Sequence, residues 1–552
     1  MHKTCKNCSA KFEIFPEDRE FYKKMEVPEP TLCPDCRMQR RMAVRNERNL
    51  YKRICDLTGK SIISCYSPEK PFTVYHHKEW MSDKWDPLSY GRDFDFSRSF
   101  FEQYAELQKD MPRISLHVND TMENCDYCNY GGTSKDCYLT FCPVQSEKCL
   151  YSWTPGMCLE DIDGYANISC QHVYECSTVE YSYELFYSSF CQNCSNSYFL
   201  LDCKDCQYCF GCTNLQHKKY YFFNEPLSKE NFEKKVAEIT SSSSHLQKFA
   251  QEFSQFFLRF PRKCVRNTQV ENCEGDLLRH SKNCKECFDT FDFQDCRYCF
   301  LGGLKSHHIY DSFVIGIGAA ECYEHVGSLG CNHSAFAIFA RGLSDSYYTD
   351  SCTNSQNIFG CIGLRYKKNC ILNKQYTKEE YEKILPEIID HMKTTGEWGE
   401  FFPVEISLFA YNETMAQEFF PMTKEEALKK GWKWRDEEQT ELLGTTKKIF
   451  ASKLPDKIED VSDDILNWSI ECEESGKLFR IQKTELEFYR KMKIPLPHFH
   501  PDVRYIKRLQ RKNPPKLWNR NCAKCQKEIQ TSYSPERPEI VYCEACYLKE
   551  IY

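Results

Sequence analysis

The middle of the chain places small and apolar residues at a fixed spacing and shows few long helical patterns. Five cysteines from Cys128 to Cys212 follow one another at intervals of 21 residues, and further cysteines or apolar residues lie nine positions beyond each. A repeat of about 20 residues with small residues in register is typical of a parallel β-helix or a related β-solenoid. Because a thiol behaves as a small hydrophobe, we expect Cys149 and Cys170 to be buried, free and not metal ligands.

This central region is duplicated. Residues 210–239 align without a gap on residues 359–388, an offset of 149 positions, and each copy ends in a predicted helix. Ser228 and Thr377 are the expected N-caps, and the T-K-E-E sequence at the second is a capping box. The first cap is followed by a polar linker and an amphipathic helix over 241–263. The sequence therefore predicts two solenoid halves, each closed by helices.

The two ends of the chain are copies of one module. A shift of 467 positions aligns residues 5–79 with residues 472–546 without a gap, and 27 of the 75 pairs are identical. Each copy has room for two four-ligand sites made of paired C-x-x-C motifs, and each keeps the site that the other has lost. The two complete sites consist of Cys5, Cys8, Cys33 and Cys36, and of Cys522, Cys525, Cys543 and Cys546.

Paired C-x-x-C motifs place four thiolates around one tetrahedral ion, which is the ligand set of a closed structural zinc site. The sequence therefore predicts about two zinc ions per chain, one in each terminal module. Such an ion supplies on the order of 10 kcal/mol to the folding of a small segment. Unmetallated thiol pairs fit poorly with the polar surroundings of these motifs.

The damaged site of the N-terminal copy has two interpretations. Cys55, Cys65, His76 and His77 offer two thiolates and two imidazoles, both of which suit zinc. Thr58, however, is not a ligand, and Cys65 aligns with a serine of the other copy, outside the original ligand set. A hydrogen-bonded relic is therefore the default expectation.

A second metal alternative lies in the solenoid. Four cysteines there are separated by two residues each: Cys203, Cys206, Cys209 and Cys212. This spacing resembles that of cysteines that bind iron–sulfur clusters, although the usual final x3 and proline are absent. Residues three apart on an extended strand face opposite sides, so these thiols converge only if the strand bends. The run is either part of the structural columns or an added metal site.

Charge is segregated along the chain. The net charge is −7, but residues 1–60 carry +5, residues 471–552 carry +6, and the part between them carries −18. Residues 37–53 contain seven basic residues and no proline or glycine, which predicts a basic helix at the second C-x-x-C pair. A rigid basic helix is a phosphate-binding feature. The candidate contacts are Arg40, Arg41, Arg45, Arg48, Arg508 and Arg511.

These arginines have a competing role, which is to dock onto the acidic body of the same chain. In that case their side chains contact aspartate and glutamate of residues 120–380. The sequence does not decide between a nucleic-acid surface and intramolecular docking.

Cysteine usage and hydropathy bear on the compartment. The chain has 36 cysteines, and its N-terminus lacks the apolar segment of a signal peptide. Its longest apolar stretches, such as residues 313–320, are too short to span a bilayer. We therefore expect a reduced cytoplasmic protein with no membrane association.

The chain has four motifs that resemble those of known proteins: C-K-N-C, C-P-D-C-R-M-Q-R-R, W-M-S-D-K-W-D-P at 80–87 and F-G-C-x-N-L-x-x-K-K-Y-Y-F-F-N. By these motifs it resembles a family of long cysteine-rich proteins that contain zinc ribbons. These proteins come from uncultured small-genome bacteria, and the similarity runs over most of the chain. Family members keep C-x-x-C pairs where this chain has Thr58 and His76 with Glu79. The resemblance implies zinc modules and implies no particular activity.

The predicted fold is multidomain, with a mainly β central solenoid between duplicated zinc-ribbon or treble-clef modules and with helical caps and a connector. The predicted segments are 1–90 (N-terminal zinc module), 91–120 (helical linker), 121–240 (first solenoid half with cap), 241–263 (amphipathic helix), 264–390 (second half with cap), 391–470 (connector, with a helix at 423–430) and 471–552 (C-terminal zinc module).

Two classes of function fit this architecture. The first is a non-enzymatic zinc-containing binding or scaffold protein that contacts nucleic acid, a ribonucleoprotein or a protein partner. The second is an enzyme acting in the groove of the solenoid, as carbohydrate-active β-helices do. Asp161 and Asp163 lie close in sequence as candidate groove acids, but loop carboxylates are more often solvated than catalytic. The binding protein is the preferred prediction.

Overall fold

The computed structural model describes residues 2–119, 121–436 and 447–551. Short hairpins and helices make up the N-terminal module and the linker that follows it. Strand β1 pairs antiparallel with β2 and β3 with β4, whereas β5 pairs parallel with β6. The elements are β1 (His2–Thr4), β2 (Lys11–Glu13), α1 (Pro16–Lys24), α2 (Pro34–Met42), β3 (Tyr51–Ile54), β4 (Ser61–Ser64), β5 (Val74–Tyr75), α3 (His77–Trp80), α4 (Phe100–Asp110) and β6 (Arg113–Ile114).

The basic helix predicted over 37–53 is wrong beyond Met42, where α2 ends. The Asn46 side chain accepts a hydrogen bond from the Asn49 backbone N–H at 3.0 Å and donates one to the Asn49 carbonyl at 2.8 Å. An asparagine that bonds its own local backbone favours a turn over a helix. The chain therefore turns after α2 and continues into β3.

Parallel pairing dominates residues 123–226, which we call the first ladder. Each strand pairs with the next one along the chain, and only the last pair is antiparallel. The strands are β7 (Leu159–Ile162), β8 (Gln171–Tyr174), β9 (Tyr183–Phe186), β10 (Ser195–Leu201), β11 (Gln207–Thr213), β12 (Lys219–Phe222) and β13 (Glu225–Pro226).

In this ladder every third residue forms a backbone bridge to the residue twelve positions further on. We call each set of twelve residues a rung. Glu123 bridges to Lys135, and Asp126 bridges to Tyr138, in each case twelve positions further on. The residue after each bridged position has a left-handed backbone, as at Asn124 (φ 47°). The next residue faces the interior. Because the backbone bends at every third residue, residues three apart all face inward instead of alternating sides as on a flat strand.

The predicted repeat of about 20 residues is therefore wrong. The rung has twelve residues, and the spacing of 21 arises because inner cysteines recur at alternating steps of nine and twelve, as from Cys149 to Cys158 and on to Cys170. The expectation of buried, free thiols is confirmed, since Cys149 and Cys170 are 0% exposed and unbridged.

Inner thiols and hydroxyls occupy the second lone pairs of backbone carbonyls. The Cys170 thiol donates to the Ile168 carbonyl at 3.3 Å and lies 3.4 Å from the Val179 carbonyl. Ser152 is placed in the same way against Leu150 and Asp161. A cysteine thus fills a small interior and carries a donor for buried acceptors.

Two helices and one short strand follow the first ladder: α5 (Lys229–Thr240), α6 (Ser243–Phe256) and β14 (Arg262–Lys263). The predicted cap is confirmed, because the Ser228 hydroxyl accepts the backbone N–H of Asn231. The amphipathic helix predicted over 241–263 corresponds to α6, whose apolar residues Leu246, Phe249 and Phe253 are buried against the ladder.

Residues 268–375 form the second ladder, built in the same way with a register shift between Phe291 and Phe293. Its pairings are eleven residues apart at the start, as from Thr268 to Arg279, and thirteen after the shift, as from His307 to Ala320. Its strands and closing helix are β15 (Gly275–Asp276), β16 (Cys287–Gln294), β17 (Phe300–Gly316), β18 (Ala320–Leu329), β19 (Asn332–Ile338), β20 (Ser344–Asp350), β21 (Gln356–Phe359), β22 (Lys368–Ile371), β23 (Lys374–Gln375) and α7 (Lys378–Thr395). The capping box at Thr377 is confirmed, with Glu380 bonding back to the Thr377 N–H at 2.9 Å.

The connector and the C-terminal module follow. The helix predicted at 423–430 is confirmed as the second helix of this part, capped by Thr423. The elements are α8 (Met415–Phe419), α9 (Lys424–Lys429), β24 (Lys447–Phe450), β25 (Trp468–Glu471), β26 (Leu478–Phe479), α10 (Lys483–Met492), α11 (Pro501–Leu509), β27 (Trp518–Asn521), β28 (Glu528–Thr531), β29 (Val541–Tyr542) and α12 (Glu544–Ile551).

The hydrophobic cores show that the N-terminal module packs on the second ladder and the C-terminal module on the first. One core joins α1 and α2 of the N-terminal module to the second ladder, for example Phe21 stacked on Tyr310 at 3.8 Å between ring centroids. Another joins the first ladder to the C-terminal module, with Tyr174 against Tyr489 at 5.5 Å. The molecule is thus a multidomain, β-rich protein with a module at each end. Within its described residues, no helix is long and apolar enough to cross a membrane.

Candidate metal centres and the arginine–carboxylate clusters

The N-terminal four-cysteine set is assembled by a hairpin and a helix. Cys5 and Cys8 lie in the turn between β1 and β2, while Cys33 caps α2 and Cys36 lies in its first turn. The four Sγ atoms all lie within 4.8 Å of one another, with Cys8 and Cys33 at 3.7 Å. This arrangement can hold one metal ion.

Backbone and neighbouring groups favour thiolates at this site. Burial opposes ionisation of Cys5, but backbone N–H groups of Cys33, Cys8 and Asn7 hold its pKa below the ordinary value. The neighbouring Cys36 thiol lowers the pKa of Cys33 to about 5. A cysteine at a helix N-terminus is also stabilised as an anion by the helix dipole. Two of the four thiols, Cys5 and Cys33, are thus favoured as thiolates, whereas the neighbouring Cys33 thiol raises the pKa of Cys36 and the pKa of Cys8 is also raised.

The C-terminal set repeats this construction. Cys522 and Cys525 lie in the turn between β27 and β28, Cys543 immediately precedes α12, and Cys546 lies in its first turn. The four sulfurs again lie within 4.8 Å of one another, with Cys525 and Cys543 at 3.8 Å. Burial opposes ionisation of Cys522, but backbone N–H groups of Cys525 and Cys543 lower its pKa to about 6.

The two damaged sites have become hydrogen-bonded helix caps. His76 and His500 stand where the third cysteine ligand of a complete site would be, given the offset of 467. The Nδ1 atom of His76 accepts the Lys78 backbone N–H at 3.3 Å, and Nδ1 of His500 accepts that of Asp502 at 3.1 Å. In both sites an imidazole thus satisfies a helix N-terminus that a metal-bound thiolate would otherwise occupy.

The structure does not bring Cys55, Cys65, His76 and His77 together as a metal site. In the described part of the chain, only the two four-cysteine sets bring three or more such ligand atoms within 4.8 Å. Cys55 instead accepts the His76 backbone N–H at 3.3 Å, and burial raises the pKa of Cys65 to about 12.

No three of the sulfurs of Cys203, Cys206, Cys209 and Cys212 lie within 4.8 Å of one another in the described chain. These residues face the ladder interior from successive sides of one rung, because the chain bends between them at Asp205, Tyr208 and Gly211. The bends that the flat-strand argument required are present, but the four sulfurs remain too far apart for one shared ion.

The predicted exposed basic faces are wrong for five of the six arginines, and the Arg511 side chain is 36% exposed. Arg41 is 0% exposed, and its guanidinium bonds to Asp311 at 3.2 Å and to Glu324 at 2.9 Å in the second ladder. Arg37 bonds to the same Asp311 at 2.7 Å. Arg40 bonds to Glu324 at 2.7 Å. These cations neutralise carboxylates that the fold has removed from water, which is why they are not available to phosphates.

The C-terminal module has an equivalent cluster on the first ladder. Arg508 is 0% exposed and bonds to Asp163 at 2.9 Å and to Glu175 at 3.0 Å. Arg504 also bonds to Asp163, and Arg511 bonds to Glu175 at 3.0 Å. The competing role, docking onto the acidic body of the same chain, is therefore the one that the structure shows.

The remaining two candidates are also paired. Arg45 is buried beside Glu47 and lies over the Tyr130 ring at 3.9 Å. Arg48 bonds to Asp502 at 2.9 Å and lies over the Tyr505 ring, which joins the two terminal modules.

Both clusters descend from the internal duplications. Arg37 and Arg41 become Arg504 and Arg508 at the offset of 467, and Glu175 becomes Glu324 at the offset of 149. The basic residues are evident from the sequence, but their acidic partners are not. The available signal was Glu175 and Glu324, which occupy equivalent positions once the offset of 149 is extended beyond the aligned residues 210–239.

The candidate groove acids are not arranged for catalysis. Asp161 faces the ladder interior at 0% exposure and accepts a hydrogen bond from Asn167 at 3.1 Å. Asp163 is also fully buried and is bonded to Arg508. Since neither carboxylate faces a groove, the enzyme alternative loses the residues that motivated it.

Asp161 makes stability depend on pH. Burial raises the pKa of Asp161 to about 7, against the opposing Asn167 hydrogen bond. The native state therefore holds a proton that the unfolded chain releases near pH 4, and the free energy of unfolding falls as the pH rises from about 4 to about 7. Asp161→Asn is expected to raise that free energy by roughly 2–4 kcal/mol at pH 8 and by little at pH 4.

Thermal midpoints at pH 4 and pH 8 check this expectation. The control is Asp163→Asn, which should lower the midpoint at pH 8 because it removes the charge partner of buried Arg508. At pH 4 the control should have a smaller effect, because burial raises the pKa of Asp163 to about 6. An Asp161→Asn midpoint shift of the same size at both pH values would contradict a protonated native carboxyl.

No protein-family model matches the chain, and no curated protein sequence matches it significantly. Among solved structures, one similar chain comes from Desulfovibrio desulfuricans G20 and is described as a candidate acetyltransferase. It is 7% identical, covers 48% of this chain and 68% of its own length, and has a TM-score of 0.08. A likeness of that size carries no argument about fold or activity.

Proposed function

We propose that the chain is a non-enzymatic, zinc-stabilised scaffold that binds a protein partner. The observation that carries this proposal is that the positively charged side chains of the terminal modules bond within the molecule. The basic residues of both terminal modules bond to buried carboxylates of the ladders, as Arg41 does to Glu324 and Arg508 to Glu175. The modules thus act as braces for the ladders, and the arginines that favoured nucleic acid are occupied.

Zinc is the metal we propose for both four-cysteine sets. In each set a hairpin turn and a helix N-terminus supply two sulfurs apiece, as in a treble clef. All-thiolate tetrahedral sites with no open position are characteristic of structural zinc, whose thiolates are favoured by the local backbone N–H groups. Such an ion would tie each hairpin to its helix and would supply folding energy, not chemistry.

We further propose that the two ladders are one β-solenoid of twelve-residue turns. The support is the pairing of every third residue with the residue twelve positions on in the first ladder, and eleven to thirteen positions on in the second, together with the inward columns of thiols. Consecutive rungs of the second ladder also carry exposed apolar side chains on the outside: Leu304, Ile317 and Leu329 are 43%, 60% and 41% exposed, and Leu329 lies opposite Gly316, next to Ile317. A row of exposed apolar side chains favours a protein-binding surface.

Crosslinking and capture from a native lysate, with and without nuclease, tests the proposed function. A scaffold for a protein partner should retain the same crosslinked protein after nuclease treatment. Loss of all captured material on nuclease treatment would instead show that nucleic acid bridges the interaction, and the protein-scaffold proposal would be overturned.

A further inference from the structure

A cavity of about 510 Å³ lies between the first ladder, α6 and the C-terminal module. Its ladder wall is aromatic and includes Tyr187, Phe190 and Phe199. Its opposite wall, from the C-terminal module, carries His498 and Lys507, whose side chains pair with Glu473 at 2.7 Å and with Glu474 at 2.6 Å. The cavity thus faces an apolar surface with basic and hydrogen-bonding groups, a combination typical of a binding site.

The duplications identify the equivalent groove on the second ladder. At the offset of 149, Tyr187, Phe190 and Phe199 become Phe336, Phe339 and Tyr348; at the offset of 467, Pro495, His498 and Lys507 correspond to Pro28, Thr31 and Arg40. The ladder equivalents share the left-handed backbone, with φ of 52° at Phe199 and 56° at Tyr348. The two grooves are therefore built from the same positions of the same repeated units.

The groove on the second ladder is filled by the chain itself. Residues 398–409 of the connector run along it, and Glu400 is the charged anchor of this segment. The Glu400 carboxylate accepts a hydrogen bond from the Thr31 hydroxyl at 2.7 Å and lies 3.5 Å from Arg40. These two contacts come from the positions that His498 and Lys507 hold in the other groove.

Aromatic side chains fill the rest of this groove. Phe401 lies under the Arg40 guanidinium at 5.5 Å, and Phe402 contacts the Tyr348 ring edge-on at 6.0 Å. Gly399 donates its backbone N–H to the Tyr348 hydroxyl at 3.0 Å. A side chain at Gly399 would collide with Pro28, so the segment lies directly against the wall that the N-terminal module forms.

The far end of the segment is held by a second basic and aromatic pair. Phe409 stacks on Tyr66 at 5.2 Å, and the Lys70 ammonium lies 4.9 Å from the Phe409 ring centroid. Tyr66 and Lys70 correspond to Tyr533 and Arg537, both of which line the cavity of the first groove. The cavity therefore offers an equivalent anchor at each end of an extended peptide.

Only part of the first groove is filled by its own chain. Phe249 of α6 packs against Gly211 in the way that Phe100 of α4 packs against Gly360. In the described chain, however, α6 is followed within a few residues by β14 and the second ladder, and no segment occupies the position that residues 398–409 take in the other groove.

We infer that the cavity is a docking groove for an extended acidic–aromatic peptide of a protein partner, in which a carboxylate precedes two aromatic side chains. This inference rests on the proposed scaffold function and adds the chemistry of the partner. The carboxylate binds His498 and Lys507 in place of Glu473 and Glu474, their partners in the free protein. The aromatic side chains lie on Phe199 and Tyr187, and a further aromatic residue reaches Tyr533.

A synthetic peptide with the sequence of residues 397–409, EWGEFFPVEISLF, is the probe, titrated against the full-length protein by fluorescence anisotropy. We expect saturable binding that Ala250→Trp abolishes, because Ala250 lines the cavity. Gln251→Trp, an exposed neighbour on the same helix, should leave binding unchanged.

Charge reversal tests the carboxylate anchor. Lys507→Glu is expected to weaken peptide binding by about tenfold, because a charge-assisted contact is replaced by repulsion. Lys483→Glu is the matched control, since Lys483 is an exposed lysine of the same module outside the cavity lining. A peptide with its glutamates replaced by glutamine should show the same loss on the unaltered protein.

The outcomes separate this inference from the proposed function. No saturable binding, or binding that Ala250→Trp leaves intact, overturns the docking groove. If Ala250→Trp still captures the nuclease-resistant partner from lysate, the scaffold function stands and the groove is not its docking site. If the unaltered chain forms dimers that Ala250→Trp dissociates, a second copy occupies the groove and the partner peptide is overturned.

Discussion

Replacing Cys522 with serine is expected to unfold the C-terminal module while both ladders keep their structure. The four sulfurs of that site lie within 4.8 Å of one another and join the β27–β28 turn to α12. A structural zinc site contributes on the order of 10 kcal/mol, which exceeds what so small a segment obtains from its own core. The loss is local because the inner thiols of the ladders form no such site among the described residues.

Elemental analysis and hydrogen exchange check this result. Bound zinc should fall from about two ions to about one per chain, and amide protection should be lost in β27, β28 and α12 but not in the ladders. Cys472→Ser is the matched control, because Cys472 belongs to the damaged site and should change neither quantity appreciably. A protein without bound metal, or with mainly iron, would contradict the zinc assignment.

Replacing Arg41 with methionine is expected to destabilise the contact between the N-terminal module and the second ladder by about 3–5 kcal/mol. The substitution leaves Asp311 and Glu324 buried without the cation that bonds to both. Arg37 and Arg40 keep one bond each to these carboxylates, so the cluster weakens and does not vanish.

Native-state hydrogen exchange of α2 measures this cost as the free energy of local opening. Arg19→Met is the control, because Arg19 is a partly exposed arginine of the same module whose ion pair with Glu29 should contribute less than about 1 kcal/mol. If the two substitutions lower the opening free energy of α2 equally, the buried Arg41 ion pairs contribute no more stability than the exposed pair of Arg19.

Local chemistry was readable from the sequence. Cys5, Cys8, Cys33 and Cys36 belong together because ligand spacing in a C-x-x-C pair is short-range information, and the same holds for the second set. The caps at Ser228 and Thr377 follow from side-chain chemistry within three residues. These predictions need no knowledge of how distant segments meet.

Long-range packing was not readable in the same way. The spacing of 21 residues concealed a rung of twelve. A left-handed residue at every third position bends the chain, so several residues of each rung face inward. Inner cysteines can then recur at alternating intervals of nine and twelve residues, which add up to 21. Helix α2 ended early because Asn46 forms a local turn. The fate of the arginines depended on buried carboxylates about 280 residues away, as for Arg41 and Glu324, and charge counts cannot locate such partners.

The arginines of the terminal modules bind carboxylates within the molecule, and a double-mutant cycle on Arg41 and Glu324 tests this role most directly. Arg41→Met, Glu324→Gln and the double variant are compared by the opening free energy of α2 from hydrogen exchange. We predict a coupling energy of about 1.5–3 kcal/mol between the two side chains, as for neighbours in one buried network. Additive effects, with a coupling energy near zero, would contradict the account.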